Sequence, residues 1–222
     1  MENGYRHEYK YLISQAGAEL LRRRLPGLMQ RDPHSAPSGQ YRIRSLYFDD
    51  PHFSAYDEKM AGLRDRVKYR LRCYNGNREF IRLEKKEKRG DLTRKTGQTV
   101  TEQEAKALQS CCRGSGSDLL GELHAAIGCG LRPAVLVEYD RTPFVCNAGQ
   151  TRITLDENIR TKPYQGDLWA SDTAMLPVLE PGQAVLEIKF NDFLPGYLAH
   201  ALEDIPKVNL AISKYVLCAN LL

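Results

Sequence analysis

The sequence lacks the cysteine patterns of zinc-binding and disulfide-rich proteins and the hydrophobic segments of membrane and secreted proteins. Its six cysteines include no C-x-x-C pair, which disfavours a zinc site or a disulfide framework and favours reduced thiols. No apolar run approaches the roughly 20 residues that a membrane-spanning helix needs. The first ten residues are polar and charged, unlike a secretory signal of the usual form. We therefore expect a cytoplasmic protein whose chain contains no transmembrane segment.

Familiar catalytic and nucleotide-binding signatures are missing too. The sequence has no glycine-rich phosphate loop, no β-α-β alternation and no internal repeat. The five histidines are scattered, and no Ser-His-Asp or Cys-His candidate is present. We interpret the histidines as surface or packing residues, so any chemistry has to come from other side chains.

The length and composition of the chain fit one domain that spans residues 1–222. Hydrophobic residues make up 42% of the sequence, enough for a sizeable core, and charged residues make up 27%. Alternating segments predict eight or nine strands, at 5–13, 41–49, 66–74, 79–88, 92–100, 134–145, 152–156, 159–164 and 184–190. Helical spacing and capping signals predict helices at 15–29, 53–61, 101–112, 117–127, 197–203 and 213–220. This order predicts an α+β fold with an antiparallel sheet closed into a barrel.

Charged side chains recur at every second position of the predicted strands and therefore share a face. The strand at 66–72 has four cations on one face and apolar residues on the other. The charged faces comprise Arg66, Lys68, Arg70 and Arg72; Arg82, Glu84, Lys86 and Lys88; Arg6, Glu8 and Lys10; Arg152, Thr154 and Asp156; and Glu187 and Lys189. A sheet with its charges in water alternates in the same way. Five such strands instead favour a concave basic face that binds phosphate through Arg and Lys, with carboxylates for Mg²⁺ or Mn²⁺.

Eight short motifs in these segments carry a resemblance to a known family. They are EYKY at 8–11, RSLYFD at 44–49, KYRLRCY at 68–74, LEKK at 83–86, VEYDR at 137–141, RITLD at 152–156, LEIKF at 186–190 and SKY at 213–215. In this order the sequence resembles the polyphosphate polymerase (catalytic) domain of the vacuolar transporter chaperone (VTC) family, within the triphosphate tunnel metalloenzymes. Each motif is weak alone, but the ordered set covers nearly the whole chain.

The resemblance implies an eight-stranded antiparallel β-barrel, a tunnel with flanking helices. In it the γ-phosphate of ATP would be transferred onto a growing inorganic polyphosphate chain, with release of ADP. The residues expected to be catalytic are Arg70, Arg72, Lys86, Arg141 and Lys214. Those expected to bind phosphate are Lys10, Lys95, Tyr139, Arg152 and Ser213. Glu187 would hold a divalent metal, Mn²⁺ or Mg²⁺.

Other functions remain open at this point. The first motif keeps Glu8-x-Lys10 without the full acidic pattern of the triphosphatase branch, which favours a polymerase over a hydrolase. The alternatives are an inorganic tripolyphosphatase or nucleotide cyclase on the same fold, and a non-catalytic module that binds polyphosphate or nucleic acid. Tyr69 lies away from the cations of its own strand, which argues against base stacking and a nucleic-acid partner. The eukaryotic VTC complex also has a regulatory domain and membrane segments, which this sequence does not contain. A membrane protein therefore stays among the expected partners, beside ATP and polyphosphate.

Overall fold

A computed structural model of the chain describes residues 7–33, 35, 38–90, 92–112, 114–170, 174–210 and 213–222. Its strands are β1 His7–Ser14, β2 Gln30–Arg31, β3 Tyr41–Asp49, β4 Arg66–Tyr74, β5 Ile81–Arg89, β6 Leu92–Val100, β7 Arg132–Cys146, β8 Thr151–Pro163, β9 Leu176–Pro177, β10 Gln183–Phe190 and β11 Lys207–Asn209. Its helices are α1 Gln15–Arg24, α2 Ser54–Met60, α3 Glu102–Gln109, α4 Leu119–Gly128, α5 Gly196–Ala201 and α6 Lys214–Ala219. None of these described helices combines the length and apolar character that crossing a membrane requires.

The strands form one sheet of mostly antiparallel pairs with flanking helices, so the predicted α+β class is confirmed. Hydrogen-bonded neighbours run in the order β11-β1-β10-β8-β7-β3-β4-β5-β6, while β2 pairs with β7 and β9 with β8. The predicted closed barrel of eight strands is not confirmed, because this order has two ends, at β11 and β6. The additional strands β2, β9 and β11 are two or three residues long, too short to produce an alternating pattern.

The described residues divide into two compact units, and β7 and β8 run through both. The first unit comprises Met1–Tyr41, Tyr139–Ile159 and Leu179–Ser213. The second unit comprises Arg42–Glu138, Arg160–Val178 and Lys214–Leu222. The single domain expected over residues 1–222 stays a prediction.

In the first unit, α1 covers the apolar side of the strands. Ser14 begins this helix as its N-cap, since its hydroxyl accepts a hydrogen bond from the Gly17 backbone N–H at 3.1 Å. The buried leucines of α1 join a core that also contains side chains of β8 and β10: Leu21, Leu25, Ile153, Leu155, Leu186 and Ile188. Because neighbours along a strand point to opposite faces, this packing turns Thr154 and Glu187 to the other side of the sheet.

In the second unit, α3 and α4 cover the apolar side of β4 and β5. The loop between these strands begins with a tight turn, in which Asn75 and Gly76 have φ of 51° and 70° and the Asn77 N–H donates to the Tyr74 carbonyl at 2.9 Å. Helix α3 begins with a capping box between Thr101 and Glu104. The shared core includes Leu71, Leu83, Leu108, Leu123 and Ile127. The intervening charged residues of β4 and β5 therefore lie on the face away from the helices.

Candidate functional site

Seven charged side chains of β4, β5 and β6 form a basic face on the second unit. Cross-strand register places Arg70 opposite Glu84 and Arg72 opposite Arg82, while Lys86 lies opposite both Lys68 and Lys95. Directly opposite residues in an antiparallel pair share a face of the sheet. The basic face consists of Lys68, Arg70, Arg72, Arg82, Glu84, Lys86 and Lys95, in which a single carboxylate meets six cations.

Glu84 is the centre around which three of these cations gather. It is only 6% exposed, it accepts hydrogen bonds from Arg70 at 2.5 Å and Lys95 at 2.7 Å, and Arg72 lies at 3.8 Å. Burial alone would raise the pKa of the Glu84 carboxyl, but the cations, Arg70 first, bring it far below its ordinary value. Glu84 is therefore ionised at neutral pH, and its charge offsets only part of the positive charge around it.

Arg70 and Arg72 of β4 are held in place by β3 as well. Arg70 donates to the Tyr47 hydroxyl at 2.8 Å, and Arg72 donates to the Ser45 hydroxyl at 3.2 Å. Arg72 is 7% exposed, a degree of burial that an arginine seldom reaches unless it is paired. These contacts fix the guanidinium planes, as recognition of phosphate oxygens by two parallel hydrogen bonds requires.

Lys86 and Lys95 form the open side of the basic face. They lie directly opposite each other on β5 and β6, and both are exposed. Lys95 also reaches Glu84, although its side chain is 55% exposed. Two adjacent exposed ammonium groups are placed to meet an anion that approaches from solvent.

A second polar face lies on the first unit and is mixed in charge. Glu187 of β10 lies opposite Lys10 of the neighbouring strand β1 and opposite Thr154 of the other neighbouring strand, β8. Arg152 of β8 lies opposite Lys189 of β10. Arg141 of β7 joins them by contacting Asp156 and Glu187, and its guanidinium lies 5.3 Å from the centre of the Tyr139 ring. The mixed face consists of Glu8, Lys10, Tyr139, Arg141, Arg152, Thr154, Asp156, Glu187 and Lys189, while Arg6, expected beside Glu8, lies outside the described residues.

Arg141 and Asp156 form a buried, bidentate ion pair. Their two hydrogen bonds measure 2.6 and 2.7 Å, and Asp156 is fully buried. Burial alone would lower the pKa of Arg141, but Asp156 and then Glu187 raise it well above the ordinary value. Arg141 therefore stays charged deep in the first unit, with its guanidinium fixed by Asp156.

Substitution of Asp156 by Ala should destabilise the protein by about 3–5 kcal/mol, because it leaves the Arg141 charge buried with only a distant partner. The remaining contact, to Glu187, is 3.4 Å long. Denaturant unfolding of the wild type and the variant measures this difference. The matched control is Asp204→Ala, which removes a bidentate partner of Arg24 in an exposed pair where solvent screens the charges. Equal destabilisation by both substitutions would contradict the burial argument.

Glu187 is the candidate metal ligand on the mixed face. It is 5% exposed and forms ion pairs with Lys189 and, at 3.4 Å, with Arg141. The hydroxyl of Thr154, directly opposite, is buried without a hydrogen-bond partner among the described residues. Within the described part of the chain, no group of three His, Cys, Asp or Glu side chains could hold a metal by itself. Glu187 and Thr154 carry oxygen atoms of the kind that Mg²⁺ or Mn²⁺ accepts, but a metal there would need further ligands.

The other predicted residues lie on β1, on β8 and at the start of α6. Lys10 pairs with Glu8 at 2.6 Å, while Arg152 pairs with Asp32 at 2.8 Å and donates to the Tyr41 hydroxyl at 3.0 Å. Ser213 is half-buried in the first unit, and Lys214, also half-buried, begins α6 in the second. The structure thus brings together Arg70, Arg72, Lys86 and Lys95 on the basic face, and Lys10, Tyr139, Arg141, Arg152 and Glu187 on the mixed face. Their functional roles stay predictions.

Four side chains that border the basic face were not predicted from the sequence. Ser45, Tyr47 and Asp49 occupy alternate positions of β3, and the first two contact the arginines of β4. Tyr215 of α6 donates a hydrogen bond to the buried Asp49. Alternation along β3 could have revealed the first three, but the position of Tyr215 depends on a contact across more than 160 residues.

The fold and the two faces define an α+β protein whose antiparallel sheet presents clustered Arg and Lys with a few buried carboxylates. The chain belongs to the VTC domain family, because the family model matches residues 5–222. This match confirms the resemblance seen in the ordered motifs.

Comparison with solved structures finds matches of low sequence identity. A putative adenylate cyclase from Bacillus halodurans is 16% identical with a TM-score of 0.50, over 89% of this chain and 85% of that one. The PH1012 protein from Pyrococcus horikoshii OT3 is 14% identical with a TM-score of 0.48, over 96% and 99% of the two chains. None of the curated proteins matches this sequence. The likeness to the putative cyclase concerns the fold alone.

Proposed function

We propose that this protein is a polyphosphate polymerase that transfers the γ-phosphate of ATP onto a growing inorganic polyphosphate chain. Membership of the VTC domain family supports an enzyme of phosphoryl transfer. The observation that carries the proposal is the basic face, where six cations share the single carboxylate of Glu84. An excess of like charge on one face is unfavourable unless an anion compensates it, and a chain of phosphates offers one charge after another along its length.

The proposed reaction needs positioning and charge stabilisation more than covalent help from the protein. A terminal oxygen of the polyphosphate chain attacks the γ-phosphorus, the bond from that phosphorus to the β–γ bridging oxygen breaks, and ADP leaves. The attacking oxygen is already ionised, so the reaction needs no general base. Arg70 and Arg72, fixed by Tyr47, Ser45 and Glu84, would donate to the oxygens of the transferred group, where charge shifts during transfer.

The remaining predicted residues would hold the two substrates. Lys86 and Lys95, exposed on the same face, would bind neighbouring phosphates as compact charges. On the mixed face, Arg141, which is fixed by Asp156, and the neighbouring Tyr139 would donate to phosphate oxygens. Lys10, Arg152, Ser213 and Lys214 would add contacts from β1, β8 and the start of α6.

Glu187, with the Thr154 hydroxyl beside it, would hold a divalent Mn²⁺ or Mg²⁺. When bound, such an ion acts as a Lewis acid on phosphate oxygens. Lys189 already compensates the charge of Glu187, and its flexible stem can turn to phosphate when the carboxylate takes a cation.

The proposal predicts that purified protein, incubated with ATP and Mn²⁺, accumulates ADP together with acid-labile chains that an exopolyphosphatase digests. The separation of polyphosphate, ADP and free phosphate measures this outcome directly. Orthophosphate as the only phosphate product would assign the protein to the tripolyphosphatases. Pyrophosphate with cyclic nucleotide would assign it to the cyclases, and binding without any product would leave a polyphosphate-binding module.

A further inference from the structure

Lys68 has an unusual environment among the cations of the basic face. Its ammonium nitrogen is buried and has no hydrogen-bond partner among the described residues, although the side chain as a whole is only half-buried. The ammonium lies over the ring of Tyr215, 4.4 Å from its centre. An ammonium group has three donors, and a buried donor without an acceptor costs free energy that a cation–π contact offsets only in part.

The surroundings of Lys68 hold Tyr215 firmly but leave the lysine itself loosely held. The Tyr215 hydroxyl donates to Asp49, and its ring lies 5.1 Å from that of Tyr47. Burial, together with the hydrogen bond to Asp49, raises the pKa of Tyr215, so its hydroxyl stays protonated as a donor. Lys68, in contrast, has a flexible four-carbon stem and, among the described residues, no hydrogen bond to break before it moves.

We infer that Lys68 is a further phosphate-binding residue of the basic face, whose ammonium leaves the Tyr215 ring for a phosphate oxygen when a linear polyphosphate or nucleoside triphosphate binds. Its position supports this role, because Lys68 is two residues from Arg70 on the same face and directly opposite Lys86. A phosphate bound by Arg70 and Lys86 is thus within reach of the lysine stem. The inference rests on the proposed function in one respect, the chemical class of the bound anion, which is a linear chain of phosphates.

The charge of Lys68 responds to the binding of an anion. Burial lowers the pKa of Lys68 to about 8, against the attraction of Asp49. The charged and titratable groups around it are Asp49, Glu58, Lys59, Arg66, Lys86 and Tyr215. A phosphate oxygen favours the charged ammonium and therefore raises its pKa. At pH 8, binding should draw up to about half a proton onto Lys68, while at about pH 6.5 the lysine is already charged and the uptake vanishes.

The test is isothermal titration calorimetry of the full chain with inorganic tripolyphosphate, without metal, at about pH 8 in two buffers of different ionisation enthalpy. Lys68→Met should bind tripolyphosphate about 10-fold more weakly or worse, the loss expected for a hydrogen bond to a charged group. Lys68→Arg should bind well but take up about half a proton less than the wild type, since arginine is always charged. The ligand's own titration, and that of the other lysines of the basic face, are common to all variants.

The matched control is Lys85→Met, because Lys85 also lies over a tyrosine ring, Tyr69, but on the helix-covered face of β5. It should bind and take up protons as the wild type does. Equal proton uptake by the wild type and Lys68→Arg, or undiminished affinity in a folded Lys68→Met, would overturn the inference. Activity does not enter this measurement. A protein that makes no polyphosphate but shows the Lys68-linked uptake therefore refutes the polymerase proposal alone.

Discussion

Arg70→Ala is expected to lower turnover by about 10²–10³-fold, the loss that follows removal of one preorganised donor to charge that develops in a transition state. The same loss is expected for Arg72→Ala, because both guanidinium groups are held on the basic face by Glu84 and by hydroxyls of β3. Steady-state kinetics with ATP measures the effect. The loss should appear mainly in kcat, since the arginines act on the transferred group.

The fold should tolerate either substitution. Without Arg70, Glu84 keeps its hydrogen bond from Lys95 at 2.7 Å and the charge of Arg72 at 3.8 Å. Loss of one cation also relieves repulsion within the crowded face, so thermal unfolding should change little. The control is Arg94→Ala on β6, where Arg94 is exposed and lies on the face opposite Lys95. Wild-type turnover in both arginine variants would show that β4 does not meet the substrate.

Glu187→Gln is expected to raise the Mn²⁺ concentration needed for half-maximal activity by at least about 100-fold, because loss of a direct ligand should cost no less than loss of an outer-shell partner, which costs up to about 100-fold. Glutamine keeps the shape of the side chain but offers the metal a neutral, weaker oxygen. Arg141 stays paired with Asp156, so the first unit should remain folded. Titration of the activity with Mn²⁺ measures the shift.

Phosphate binding without metal should hold or become tighter in Glu187→Gln, because a negative charge leaves the mixed face while Lys189 and Arg141 remain. This opposite response separates loss of a metal ligand from general damage, which would weaken both. A useful control is Glu180→Gln, in an exposed turn before β10. An unchanged Mn²⁺ titration in Glu187→Gln would exclude Glu187 and direct attention to Glu8 or Glu84.

Local signals in the sequence predicted several elements correctly. Asn75-Gly76 predicted the hairpin between β4 and β5, and Thr101 with Glu104 predicted the capping box of α3. Both depend on contacts within a few residues, which the sequence contains in full. The expected break between strands at 152–156 and 159–164 was wrong, since β8 continues through Asn158 at φ 51°. An asparagine tolerates this left-handed conformation, so a turn signal there does not end the strand.

The sequence by itself determined which side chains share a face along one strand. Arg70 and Arg72 had to lie together, opposite Leu71, because successive side chains in a strand point to opposite sides. The alternation of residues along β4, β5, β8 and β10 is therefore enough to assign their side chains to the two polar faces. The resemblance added roles to these residues, and the family match supports the comparison across residues 5–222.

Only the tertiary structure decided which charges meet. Glu84 pairs with Arg70 and Arg72 of β4 and with Lys95 of β6. Asp156 pairs with Arg141, and Glu187 pairs with Lys189. Lys68 lies over Tyr215, which is 147 positions later in the chain. Alternation fixes the direction of a side chain but not its partner, because partners depend on strand register and on helices that pack from distant parts of the chain. The electrostatics of both faces follow from those long-range contacts.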